Sequence, residues 1–118
     1  GVKFGYIVTR NLTPLIEILN ELGIDIVWGV DPVQDAVDLP LIKHESEGRI
    51  CLWGGVNSYI TLDQTKDRIR SETHRAIDIL APGGGFMLSA VDAVLGEVHS
   101  EGLRNLIEAW REIGDYPR

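Results

Sequence analysis

Four times along the chain an apolar run of β-type residues gives way to a helix-type stretch, and that alternation restricts the folds open to it. The runs are Lys3–Thr9, Asp25–Val30, Arg49–Gly55 and Gly85–Ser89. Strands alternating with helices imply a parallel sheet, because two parallel strands need a long crossover and a helix usually supplies it. Ligand sites on such sheets gather at the carboxyl ends of the strands. The polar residues that close the runs are therefore the candidate site: Arg10 with Asn11, Asp31, Asn57, and Ser89 with Asp92.

The intervening stretches carry helix signals. Thr13 as N-cap, Pro14 in the first turn and Gly23 as stop predict a helix over Thr13–Leu22, with Leu15, Ile18, Leu19 and Leu22 as its stripe against the sheet. A short helix is expected over Leu39–Glu47 and a long one over Thr65–Leu80, the latter buried through Ile69, Thr73, Ala76, Ile77 and Leu80. The last spans Ser100–Ile113, with Leu103, Leu106, Ile107 and Trp110 on one face. Gly83, Gly84 and Gly85 match neither a dinucleotide fingerprint nor a P-loop and precede a strand, so they read as a helix stop.

The chain has 118 residues, enough for one domain or part of one, and a formal charge of −7 that disfavours nucleic acid and anionic membrane. Arg68 and Arg70 are interleaved with Asp67 and Glu72, the pattern of a solvated helix face. No apolar run approaches the roughly 18 residues of a membrane span and no signal segment opens the chain, so a cytoplasmic location is expected. The single cysteine, Cys51, lies in an apolar run and reads as a small buried hydrophobe. His44, His74 and His99 are dispersed without metal-ligand spacing, and no metal is expected.

Two architectures satisfy four strand–helix units: a small open sheet, or the last four units of a TIM-type (β/α)8 barrel. Half a barrel leaves two free strand edges and an unfilled inner face, so it needs the remainder of the barrel or a second copy of itself. Periodicity does not choose between these architectures. A strand follows Gly1 almost at once, and the repeat count suggests a segment cut from a longer polypeptide.

The third and fourth units carry a resemblance. Gly54-Gly55-Val56-Asn57, Thr61-Leu62-Asp63, the long helix, and then Ala81-Pro82-Gly83-Gly84-Gly85-Phe86-Met87-Leu88-Ser89 resemble the end of the uroporphyrinogen decarboxylase family. Asn11-Leu12-Thr13-Pro14-Leu15 is similar to the loop and helix start after that family's fifth strand, and the likeness runs from about Phe4 to Trp110. It implies the carboxyl-terminal half of a barrel and, as activity, the cofactor-free removal of carboxylates from tetrapyrrole acetate side chains. The family also contains corrinoid-linked methyltransferases, several using zinc. Where their zinc-binding His and Cys would lie, this chain has Ile7, Thr9 and Asp92, so a methyltransferase relative would be zinc-free. The decarboxylases carry a His near the place of Asp92, and their principal catalytic groups lie in the amino-terminal half. The resemblance thus implies an enzymatic parent, a small-molecule substrate (tetrapyrrole or methyl donor), and a fragment inactive alone. A non-catalytic, self-associating half barrel is the alternative of a different kind.

Each candidate residue has a functional and a structural role open to it. Arg10 suits a bidentate clamp on a substrate carboxylate, or support of the following turn. Asn11 suits ligand contact or a side-chain turn, and Asp31 either orients a ligand and takes a proton or forms the turn before Pro32. Asn57 stands where Gly54 and Gly55 loosen the strand, in reach of a ligand. Ser89 and Asp92 make the last pair, with Asp92 as general base or hydroxyl acceptor on one reading and a rim salt bridge on the other.

Overall fold

The structure, a computed structural model, describes residues 1–58, 63–92 and 100–114. Four strands, β1 (Gly5–Ile7), β2 (Ile26–Val30), β3 (Cys51–Asn57) and β4 (Phe86–Val91), alternate with four helices, α1 (Leu12–Glu21), α2 (Leu39–Ser46), α3 (Lys66–Leu80) and α4 (Ser100–Ile113). The strands form one sheet in the order β1-β2-β3-β4, and every pairing is parallel. Crossovers between adjacent parallel strands are right-handed, so sequential order places all the helices on the same face.

Burial across the pleat shows which face that is. Val27, Leu52 and Phe86 stand side by side in register and are buried with Leu12, Ile42, Ile69 and Leu80 of the helices. The next register row, Ile7, Trp28, Trp53 and Met87, points the other way. There Ile7 is 69% exposed, Trp53 37% and Met87 43%. The sheet is thus covered on one side, and its opposite face presents a row of large apolar side chains to solvent. Two tryptophans, Trp28 and Trp53, stand side by side in that row.

Helix starts follow local chemistry where a cap lies nearby. Asp38 accepts the Leu41 N–H at 2.9 Å to begin α2, and Thr65 accepts the Arg68 N–H at 3.3 Å to begin α3. Helix α1 differs from expectation. It begins at Leu12, one residue before the expected cap Thr13, because both carboxylate oxygens of Asp35 accept from Asn11 and Leu12 N–H at 2.8 and 3.1 Å. Asn11 takes the cap position in the left-handed conformation, φ 59°, with no side-chain cap of its own.

The buried stripe of α1 also differs from the expected one. Leu12, Ile16 and Leu19 face the core, whereas Leu15, Ile18 and Leu22 of the expected stripe are exposed. Helix α4 buries Gly102, Asn105, Leu106 and Ala109, so of the four residues expected on one face Leu106 turns inward while Leu103, Ile107 and Trp110 share an exposed face. Ion pairs from α3, Lys66 to Glu108 at 2.6 Å and Arg70 to Glu112 at 2.6 Å, set one flank of α4 against α3. Small residues then face inward, where they allow close approach.

Gly29 permits the tightest contact within the sheet. Its φ is 127°, and a Cβ there would stand 2.0 Å from the carbonyl oxygen of Val8. Gly29→Ala combines backbone strain with overpacking against a main-chain atom that cannot move aside, and we expect a loss of about 3 kcal/mol or more in urea unfolding. A loss below about 1 kcal/mol would show that β1 and β2 do not meet this closely.

Asp25 ties the first segment down. Its carboxylate accepts from Phe4 N–H at 2.9 Å and from the Lys3 ammonium at 2.9 Å, which together hold its pKa below the ordinary value of 3.8. Because the folded value is the lower one, the stabilisation is complete above the unfolded value and disappears as pH falls through the folded value. Acidification from pH 5 to below 3.8 should therefore lower the protection factor of the Phe4 amide, its exchange rate taken relative to the intrinsic rate at each pH, and Asp25→Asn should remove that pH dependence.

Candidate functional site

The carboxyl ends of the strands bring three of the six candidate residues round one cleft. Thr9, Arg10, Trp28, Asp31, Gln34, Val91 and Asp92 line a space of about 50 Å³, drawn from the ends of β1, β2 and β4. Asn57 supports this group from the end of β3. Its side-chain amide donates to Asp31 Oδ2 at 2.9 Å and to Gln34 Oε1 at 2.7 Å, and the residue is fully buried. The other Asp31 oxygen accepts from the Val33 and Gln34 N–H groups at 2.9 and 3.1 Å.

Asp31 takes the turn-forming role: its carboxylate closes a turn across Pro32, and at 4% exposure it is buried, held by two turn amides and the Asn57 side chain. Hydrogen bonds of this kind to an ionised carboxylate are the strong ones. The result is a pre-set acceptor beneath the cleft whose orientation depends on Asn57.

Asp92 is placed by a second device. Ser58 donates its hydroxyl to the carbonyls of Val91 and Asp92, both at 2.7 Å, and its N–H to Val91 at 2.9 Å, which joins the end of β3 to the end of β4. Asp92 has φ 75°, a conformation non-glycine residues adopt rarely and one that clusters at ligand sites. Gly54 permits the same junction, since a Cβ there would stand 2.6 Å from Val91 Cγ2 and 2.7 Å from the Val30 oxygen.

Two candidates lie outside the cleft. Asn11 is exposed, and its backbone serves the α1 cap. Ser89 falls inside the ladder opposite Gly55, because β4 continues to Val91 in register with Asn57 instead of ending at Ser89. Its hydroxyl donates to the Ala90 carbonyl at 3.0 Å. Thr61 and Leu62, part of the resembling segment, and His99 lie outside the described residues.

From sequence, Gln34 and Asp35 carry no assigned role and Trp28 reads only as a packing residue. Gln34 and Trp28 line the cleft, and Asp35 holds the start of α1 across 24 residues of chain. The Asp31 turn brings Gln34 and Asp35 to the rim, and a polar loop directly after a parallel strand was the available signal.

A larger hollow of about 430 Å³ lies at the opposite, amino-terminal ends of the strands, lined in part by Lys43, Arg49, Cys51 and Gly83–Gly85. Its chemistry is structural. The Lys43 ammonium donates to the carbonyls of Leu80 and Gly84, both at 2.8 Å, and so closes the end of α3. Burial pushes the Cys51 thiol above its ordinary range, which keeps it protonated and a poor ligand or nucleophile. Among the described residues no group of three His, Cys, Asp or Glu side chains is arranged to hold a metal ion, and no helix is long and apolar enough to cross a membrane.

No protein-family model matches the chain. No curated protein matches its sequence either. What the fold defines is an α/β unit of four parallel strands alternating with helices, with a polar cluster at the carboxyl ends of those strands.

The Asp31–Asn57 contact generates a test. Asn57→Asp sets a second carboxylate against Asp31 in a buried place where two like charges resist joint ionisation, and we expect about 3 kcal/mol of destabilisation at neutral pH. The folded variant then binds a proton that the unfolded chain releases, so its stability should climb as pH falls from 7 to about 5. Urea unfolding across that range checks it, and a flat profile would show that the two side chains do not meet.

Proposed function

We propose that the chain is the carboxyl-terminal half of a TIM-type (β/α)8 barrel enzyme of the uroporphyrinogen decarboxylase kind, and that it supplies substrate-binding groups at the barrel mouth. The observation that carries this reading is the convergence of Arg10, Asp31 and Asp92 on one cleft from the carboxyl ends of three strands. Such convergence is what this architecture uses to bind ligands.

The roles follow from the chemistry of each group. Arg10 offers planar, always-charged donors to a substrate carboxylate. Asp92 faces the same space and can accept a proton or a hydroxyl, while Asp31, fixed by Asn57, orients the ligand. Trp28 provides an apolar surface beside them. Decarboxylation of a tetrapyrrole acetate breaks the bond between its methylene and carboxyl carbons, leaves the electron pair on the methylene, and replaces carbon dioxide by a proton. In this reading the remaining half of the barrel contributes the other groups that reaction needs, and the chain alone is inactive.

A second reading, a zinc-free relative of the corrinoid-linked methyltransferases, is favoured by one feature of the cleft. Two carboxylates and a single arginine line it, a balance less suited to a substrate carrying many carboxylates. Calorimetric titration separates the two. Uroporphyrin should bind saturably and Arg10→Ala should weaken it about 10-fold or more. Saturable binding of a cobalamin in place of uroporphyrin supports the second reading, and heatless titrations with both contradict the proposal.

A further inference from the structure

We propose that the uncovered sheet face is closed by a second copy of this chain, β4 of each copy pairing in parallel with β1 of the other to complete an eight-stranded barrel. The proposal rests on the half-barrel part of the reading above and concerns the 118-residue chain by itself, in which a second copy takes the place that an amino-terminal half would hold in a single-chain barrel. Among the described residues β1 pairs with β2 alone and β4 with β3 alone, so each keeps one free edge. Four sequential parallel strands are half of eight, and one two-fold rotation about the barrel axis joins both free edges at once.

The helices supply an independent observation. In α1 the exposed residues Leu15, Ile18 and Leu22 form a stripe of their own, centred roughly 90° round the helix from the buried stripe at about 100° per residue. Asn20, which donates to the Glu45 carbonyl of α2, lies about as far round on the opposite side. The stripe therefore faces away from α2, toward the place of a preceding helix.

In α4 the exposed residues Leu103, Ile107 and Trp110 form a second stripe. Glu108 and Glu112, which bind α3 through Lys66 and Arg70, lie on one flank, and this stripe lies roughly 110° round from the buried stripe on the other. It faces the place of a following helix. When β4 of one copy pairs with β1 of the next, α4 and α1 become neighbours, and the two stripes meet. The outer faces of α2 and α3 carry no such stripe, with Leu41 the one large apolar residue exposed there among the described residues.

The area is sufficient. The two helix stripes, Tyr6 and the exposed row of the inner face present an apolar surface on the order of 900 Å² per copy, against about 800 Å² per partner in a standard stable interface. A dimer stacked sheet against sheet would cover Trp53 and Met87 but leave the stripes and strand edges in solvent. Closure round the axis covers all of them, and it brings two copies of the Arg10–Asp31–Asp92 group to one mouth.

Sedimentation of the full 118-residue chain tests this without any substrate, so its failure is distinct from a failure of the ligand-binding reading. The expected species is a dimer of twice the 13.1 kDa chain mass. Ile18→Asp and Ile107→Lys should each weaken dimerisation about 30-fold or more while circular dichroism stays unchanged. An equimolar mixture of the two variants should associate again, since one junction is then native and the other sets Asp against Lys. A monomer at all concentrations, open-ended oligomers, a dimer indifferent to both variants, or a mixture that fails to associate would each overturn the proposal.

Discussion

A parallel sheet clothed by helices on one face only is the constraint on which the rest of this structure depends. Sequential strand order sends every crossover to the same side, and that side holds the buried core around Val27, Leu52 and Phe86. The other side is left with Ile7, Trp28, Trp53 and Met87. A sheet of this composition is ordinarily buried on both faces. The uncovered row, the free edges of β1 and β4, and the apolar flanks of α1 and α4 are consequences of one architectural fact.

The same fact locates the polar chemistry. Parallel strands deliver their carboxyl ends to one rim, so residues distant in sequence arrive together. Asp31 and Asn57, 26 residues apart, meet through a side-chain hydrogen bond, and Ser58 reaches across 33 residues to the end of β4. Glycine makes the close approaches possible at Gly29 and Gly54, where any side chain would strike a neighbouring strand. The rim is assembled by backbone geometry first and by side-chain preference second.

Much of this was legible in the sequence because strand and helix periodicities are local. The alternation, the spans of α2 and α3, the buried stripe of α3 and the polar ends of β1, β2 and β3 all depend on neighbouring residues. The misreadings share a cause. Asp35 caps α1 from a loop two elements away, and no spacing near Thr13 reveals it. Leu15, Ile18 and Leu22 carry a true helical period, yet period alone does not say whether a stripe faces its own sheet or a further partner. Ser89 was placed at a strand end because Ala90 and Val91 continue the strand without a sharp signal of where it stops.

The central claim is that the free strand edges of this unit are joined to further parallel strands. Phe4 and Val8 direct their main-chain groups to β2, and Gly85 and Val91 direct theirs to β3. By the pleat, Gly5 and Ile7 on β1 and Phe86, Leu88 and Ala90 on β4 therefore turn theirs to the free edges. Native-state hydrogen exchange at these edge amides is the most direct measurement. The account predicts protection at Ile7 and Leu88 comparable with that of the interior strand β3, whereas exchange at the rate of an open loop would contradict it.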